Sequence, residues 1–133
     1  MKKTEISKLE AYLRRTFGND DIQLKAPPGA DDPARMMIGT DAVAEIWRDE
    51  DEGELSWSLE ATLDNASVKE LEGNLRELFF SRDLVVKPRP RKDDSVEIHI
   101  GDEFIGIAFR EEEGGDRIWK FNMAILELDV EGA

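Results

Sequence analysis

The chain has 133 residues, 31 of them acidic against 18 basic, for a formal net charge of −13, and a chain this long can bury about two thirds of its unfolded surface in its own core. It holds no cysteine, which excludes disulfides and thiolate metal sites. No apolar run approaches the roughly 20 residues of a membrane span, and the opening MKKTEISKLEAYLRR lacks the apolar stretch of a secretory signal, so the expectation is a soluble, cytoplasmic protein without a membrane partner.

The first predicted element is an amphipathic helix. Ile6, Leu9, Leu13 and Phe17 recur at helical spacing with Tyr12 beside them, Thr4 is placed to cap the start, and Gly18 is placed to end it. A short strand at 22–26 follows. The proline- and aspartate-rich APPGADDP reads as a loop, and strands at 34–39 and 42–48 come next. The acidic stretch DEDEG, Asp49 to Gly53, reads as a hairpin tip. It leads into a long strand over 55–63, with Trp57, Leu59 and Ala61 on its core face.

The series then begins again. Asp64-Asn65-Ala66 is a short turn. Ser67 followed by Glu70 forms a capping box for a second helix with the stripe Val68, Leu71, Leu75, Leu78 and Phe79. A strand at 84–87 precedes a loop, PRPRKDD. In the strand at 96–101, Val96, Ile98 and Ile100 face one way, Glu97 and His99 the other. Gly101-Asp102 has a hairpin composition, a strand covers 104–110, and EEEGG, Glu111 to Gly115, makes a second acidic tip. The last predicted strand, 117–130, carries Trp119, Phe121, Met123 and Ile125 inward.

This repetition is the strongest signal in the chain. Slid by 62 positions without a gap, Leu9 falls on Leu71, Glu10 on Glu72, Arg14 on Arg76, Phe17 on Phe79, Arg48 on Arg110, Gly53 on Gly115 and Trp57 on Trp119. A long ungapped self-match means one supersecondary unit duplicated and fused. The expected fold is α+β, with two repeats of a helix and about four antiparallel strands, residues 1–64 and 65–133. The expectation is that these pack as a pseudo-twofold dimer in one globular unit. Short hairpins leave no room for crossover helices.

Candidate chemistry is sparse. His99, the only histidine, lies beside Glu97 but has no nucleophile motif around it and no second histidine for a metal, so it reads as a surface strand residue and as a binding candidate together with the basic run Lys87 to Lys92. The acidic tips lack the ligand spacing of a calcium loop, and no metal and no cofactor is expected. GDEFIG lies between two strands and makes no phosphate cradle. The three tryptophans, Trp47, Trp57 and Trp119, read as core. The sharpest anomaly is KPRPRK, Lys87 to Lys92, a basic run in an acidic chain, with Lys87, Arg89, Arg91 and Lys92 as anion-binding candidates. The acidic field repels nucleic acid and favours basic partners or simple solubility.

The segments KKTEISKLEAYLRRTFGN, RPRKDDSVEIHIGDEFIGIAFREEEGGDR and FNMAILELDV resemble a family of short alphaproteobacterial proteins of unknown function. Its members are about half this length and carry one such unit. The resemblance implies a small α+β unit with an antiparallel sheet, and it implies no activity, cofactor or catalytic residue. The order of helix, strands, helix and strands is also similar to that of type III secretion chaperones, which bind extended segments of partner proteins.

The function expected from these readings is a non-enzymatic protein-binding or adaptor domain, working as a monomer or homodimer. An exposed sheet edge or a groove between helices would take the partner. The alternative is a small-ligand or anion-binding domain using the loop from Lys87 to Lys92. In either case binding is expected on the second copy, near Arg89, Arg91 and the strand from Val96 to Ile100.

Overall fold

The helical stripes seen in the sequence become the buried faces of two helices. In the computed structural model, which describes residues 1–29, 31–64 and 67–131, α1 (Lys3–Phe17) buries Leu9, Leu13 and Phe17. Gly18 ends it in the left-handed region, at φ 64°, where a residue without a Cβ is unstrained. Thr4 is not the cap: the helix begins one residue before it, and Lys2 occupies the N-cap without a side-chain bond. The second helix, α2 (Val68–Phe79), starts on the expected capping box of Ser67 and Glu70 and buries Leu71, Leu75 and Phe79.

Four strands follow each helix: β1 (Ile22–Lys25), β2 (Ala34–Ile38), β3 (Asp41–Asp51) and β4 (Glu54–Asp64), then β5 (Leu84–Arg89), β6 (Lys92–Ile100), β7 (Glu103–Glu113) and β8 (Asp116–Leu126). They form one antiparallel eight-stranded sheet in the order β1-β2-β3-β4-β8-β7-β6-β5, so β1 and β5 are its edges. The chain is therefore α+β, as the hairpin spacing predicted.

Two expectations are corrected. The segment PRPRKDD is mostly strand rather than loop, because β5 runs to Arg89 and β6 starts at Lys92, leaving a two-residue turn. The last strand ends at Leu126, not at 130, and the chain continues as a short helix α3 (Glu127–Glu131), where the Asp129 carboxylate accepts a bond from the Leu126 amide at 3.2 Å. The joint at Asn65-Ala66, Ala30 in the first proline-rich loop, and the side chains of Val68, Lys92, Asp93, Glu113 and Asp116 lie outside the described residues.

The chain divides into two compact units, residues 1–59 with 124–133, and residues 60–123. In the first, Ile22, Met36, Ile46, Trp57 and Leu59 are buried on the sheet face that α1 covers. In the second, α2 lies over Leu84, Ile98, Ala108, Trp119 and Phe121, all fully buried. The Phe79 ring meets Phe121 edge-on at 5.8 Å between centroids, a favoured aromatic geometry. Gly106 is obligatory beside them, since a Cβ there would meet the Asn122 carbonyl oxygen and lie 2.8 Å from the Phe121 ring. A β-bulge recurs at equivalent places, between Met36 and Met37 and between Ile98 and His99.

Because these side chains have no solvent route, truncating Phe79 or Trp119 to alanine should lower the unfolding free energy by about 3–5 kcal/mol in urea titrations. Gly106→Ala should cost about 1–3 kcal/mol by overpacking, whereas an unchanged midpoint would mean that β7 and β8 do not approach as described.

Candidate functional site

Three groups of side chains merit attention, and the first is an ionic cluster in the first unit. Glu5, on the first turn of α1, points at β3 and β4. Its Oε1 accepts a bond from the Arg48 Nε at 3.0 Å and another from the Trp57 indole Nε1 at 2.8 Å. Arg48 also pairs with Glu50 at 2.8 Å. Glu50 above all, with Glu5, raises the Arg48 pKa above its ordinary value against the opposing effect of burial. Beside the cluster is a hollow of about 210 Å³, where Leu55 and Val130 of α3 give apolar surface and Lys2, Lys8, Glu127 and Glu131 give charges of both signs.

The second copy keeps only part of this cluster. Arg110 stands opposite Trp119 across β7 and β8, with its guanidinium carbon 5.3 Å from the indole centroid, a cation–π stack. The position equivalent to Glu5 is Ser67, which is occupied as the cap of α2. The sequence self-match held the arginine and the tryptophan. The role of Glu5 was illegible because its partners are 43 and 52 residues away.

The second group is the basic hairpin. Pro90 and Arg91 form the turn between β5 and β6, with Arg91 at a left-handed φ of 63°. Arg89 is engaged within the hairpin, its guanidinium donating to Ser95 Oγ at 2.9 Å. Lys87 is exposed and stands opposite Glu97. The structure thus brings Lys87, Glu97 and His99 to one sheet face and leaves Arg91 on a turn facing solvent. Val96 and Ile98, expected to adjoin a binding site, are buried in the core.

His99 is not the surface residue expected. Its side chain is 12% exposed and its Nε2 lies 2.9 Å from a Glu97 carboxylate oxygen. Its ring packs edge-on against Phe104 at 5.6 Å.

That contact belongs to the third group, which the sequence did not disclose. On the sheet face opposite α2, Phe104 is 52% and Phe109 36% exposed, with half-buried Ile107 between them. In the first unit, on the face opposite α1, the position equivalent to Phe109 is Trp47, 42% exposed. The core assignment therefore holds for Trp57 and Trp119 and fails for Trp47. Strand alternation explains the error: Ile46 and Trp47 are adjacent, so they must face opposite sides of the sheet, and Ile46 is the buried one.

Carboxylates border these aromatic side chains in each unit. Glu45 and Asp49 flank Trp47 along β3 on the same face, both exposed. Glu111 follows Phe109 on β7 and is held 3.4 Å from Lys120, which also lies 3.9 Å from Glu60.

Residues 5–65 and again 67–129 match the family model described as a protein of unknown function (DUF3126). The chain belongs to this family. It carries two copies of the family's unit in tandem, in the register read from the sequence. No curated protein and no solved structure matches.

Among the described residues, no group of three or more acidic or histidine side chains is arranged to hold a metal ion, and no helix is long and apolar enough to cross a membrane. At the tips, several carboxylates already face cations: Glu50 faces Arg48, Glu111 faces Lys120, and Glu112 lies 3.6 Å from Arg117. Calorimetric titration with calcium should therefore show no stoichiometric micromolar site. Such a site, lost on mutating Glu111 and Glu112, would overturn this reading.

Proposed function

We propose that this chain is a protein-binding domain whose helix-free sheet faces take a basic, amphipathic segment of a partner protein. The observation that carries the reading is the pair Trp47 and Phe109, aromatic at equivalent positions of the two copies and exposed in both. Large aromatic side chains left in water at matching places are the anchors that interfaces use.

The chemistry of the partner follows from the border. Glu45 and Asp49 beside Trp47, and Glu111 and Glu97 around Phe109, set carboxylates around apolar surface, in a chain of net charge −13. Lysine or arginine alternating with apolar residues would satisfy both features, and the long-range field would steer such a segment in. The similarity of element order to type III secretion chaperones agrees with binding of partner segments. The anion-binding alternative has less support, because Arg89 is already bonded to Ser95.

A synthetic peptide of alternating lysine and leucine supplies the probe, with a glutamate–leucine peptide as control and Trp fluorescence as the readout. The basic peptide should bind with an affinity that falls as salt rises, while the acidic control should not bind. Trp47→Ser combined with Phe109→Ser should weaken binding at least about tenfold and hold the thermal midpoint within a few degrees. Equal binding of both peptides, or unchanged binding by the double variant, would refute the proposal.

A further inference from the structure

The helices α1 and α2 each carry a glutamate and an arginine four residues apart, and both side chains reach the adjacent edge strand. Glu10 Oε2 accepts a bond from the Leu24 backbone N–H at 2.9 Å, and Arg14 Nε donates to the Ile22 carbonyl at 2.8 Å. In the second copy Glu72 Oε2 accepts from the Val86 N–H at 2.9 Å, and Arg76 Nε donates to the Leu84 carbonyl at 2.7 Å. The two side chains also pair with each other, at 3.0 Å for Arg14 with Glu10 and 3.1 Å for Arg76 with Glu72.

We propose that these pairs are edge locks, which occupy one outward carbonyl and one outward N–H on each of β1 and β5 and so hinder strand pairing with a second copy of this chain. The placement is what argues for it. In an antiparallel strand the backbone groups of alternate residues point to opposite neighbours. Ile22 and Leu24 therefore present their N–H and C=O away from β2, and Leu84 and Val86 present theirs away from β6. Among the described residues, β1 and β5 are the strands with a side lacking a partner strand, and such a row is a template for association.

The remaining features of β5 have the same effect. Pro88 has no N–H to offer, and Lys87 and Arg89 put charge on the strand. The pairs themselves are partly exposed, so the ion pair alone contributes little to stability. Their persistence in both copies, with matching lengths, contrasts with the divergence of Glu5 to Ser67. Two unlinked backbone bonds per pair account for that persistence better than the charges do. This inference concerns the sheet edges and stands apart from the binding face proposed above.

The test opens both edges with Glu10→Ala and Glu72→Ala together, and compares this variant with Glu10→Gln and Glu72→Gln, in which an amide oxygen still accepts the strand N–H. Sedimentation across a concentration series and amide exchange are measured on both and on the unmodified chain. The alanine pair should form species heavier than the unmodified chain as concentration rises. Its Leu24 and Val86 amides should exchange faster when dilute and regain protection when concentrated, while the glutamine pair should behave like the unmodified chain. If the alanine pair does not fold, Arg14→Ala with Arg76→Ala replaces it and is judged the same way. A folded variant whose mass distribution matches that of the unmodified chain at every concentration would overturn the proposal, as would association of the glutamine pair.

Discussion

Burial of one face of the sheet beneath a helix is the constraint on which the rest of this structure depends. In the second unit the stripe Leu71, Leu75 and Phe79 is fully buried, and the strands offer Trp119, Phe121 and Ile98 in return. Once that contact forms, the period of two in the strands decides the fate of every other side chain. Ala108 goes inward and Phe109 outward. Gly106 is fixed as glycine because Phe121 and the Asn122 carbonyl occupy the space of a side chain.

Duplication provides an internal comparison of what the unit requires. The helix stripes, the helix-to-strand bonds of Glu10 and Arg14 with their counterparts, the arginine beside a tryptophan, and the β-bulge all recur. Other positions have drifted. Gly18 ends α1, but Phe80 ends α2 with a positive φ of 51°, a conformation that bulky side chains rarely adopt. Phe80 is 66% exposed, and nothing in the structure explains why a phenylalanine stands there.

The edge strands and the helix-free faces differ in what they leave unpaired. A protein that receives an extended segment by strand addition needs an edge with free backbone groups. Here the middle of each edge strand is bonded to its own helix. Exposed aromatic surface lies instead on the faces that the helices leave uncovered. The sequence pointed to an exposed sheet edge or a groove between helices, or to the basic loop from Lys87 to Lys92. The geometry moves attention to Trp47, Phe104 and Phe109.

Much of the fold was legible because it rests on local rules. The helical stripes, the Ser67–Glu70 cap, the hairpin turns and the repeat itself are patterns of neighbouring residues, and they determined the α+β class, the two copies and most of the core. Only the tertiary structure decided what depended on distant partners. Trp47 was read as core because tryptophan is apolar, and its exposure follows from which neighbour the helix covers. His99 was read as surface, yet its side chain is largely buried, with Phe104 edge-on across the strand pair. Glu5, Glu10 and Glu72 carry no distinguishing signal in the sequence, yet each reaches backbone or indole groups 14 to 52 residues away. A carboxylate on a helix looks the same in sequence whether it faces water or a strand, and only packing brings the donor within reach.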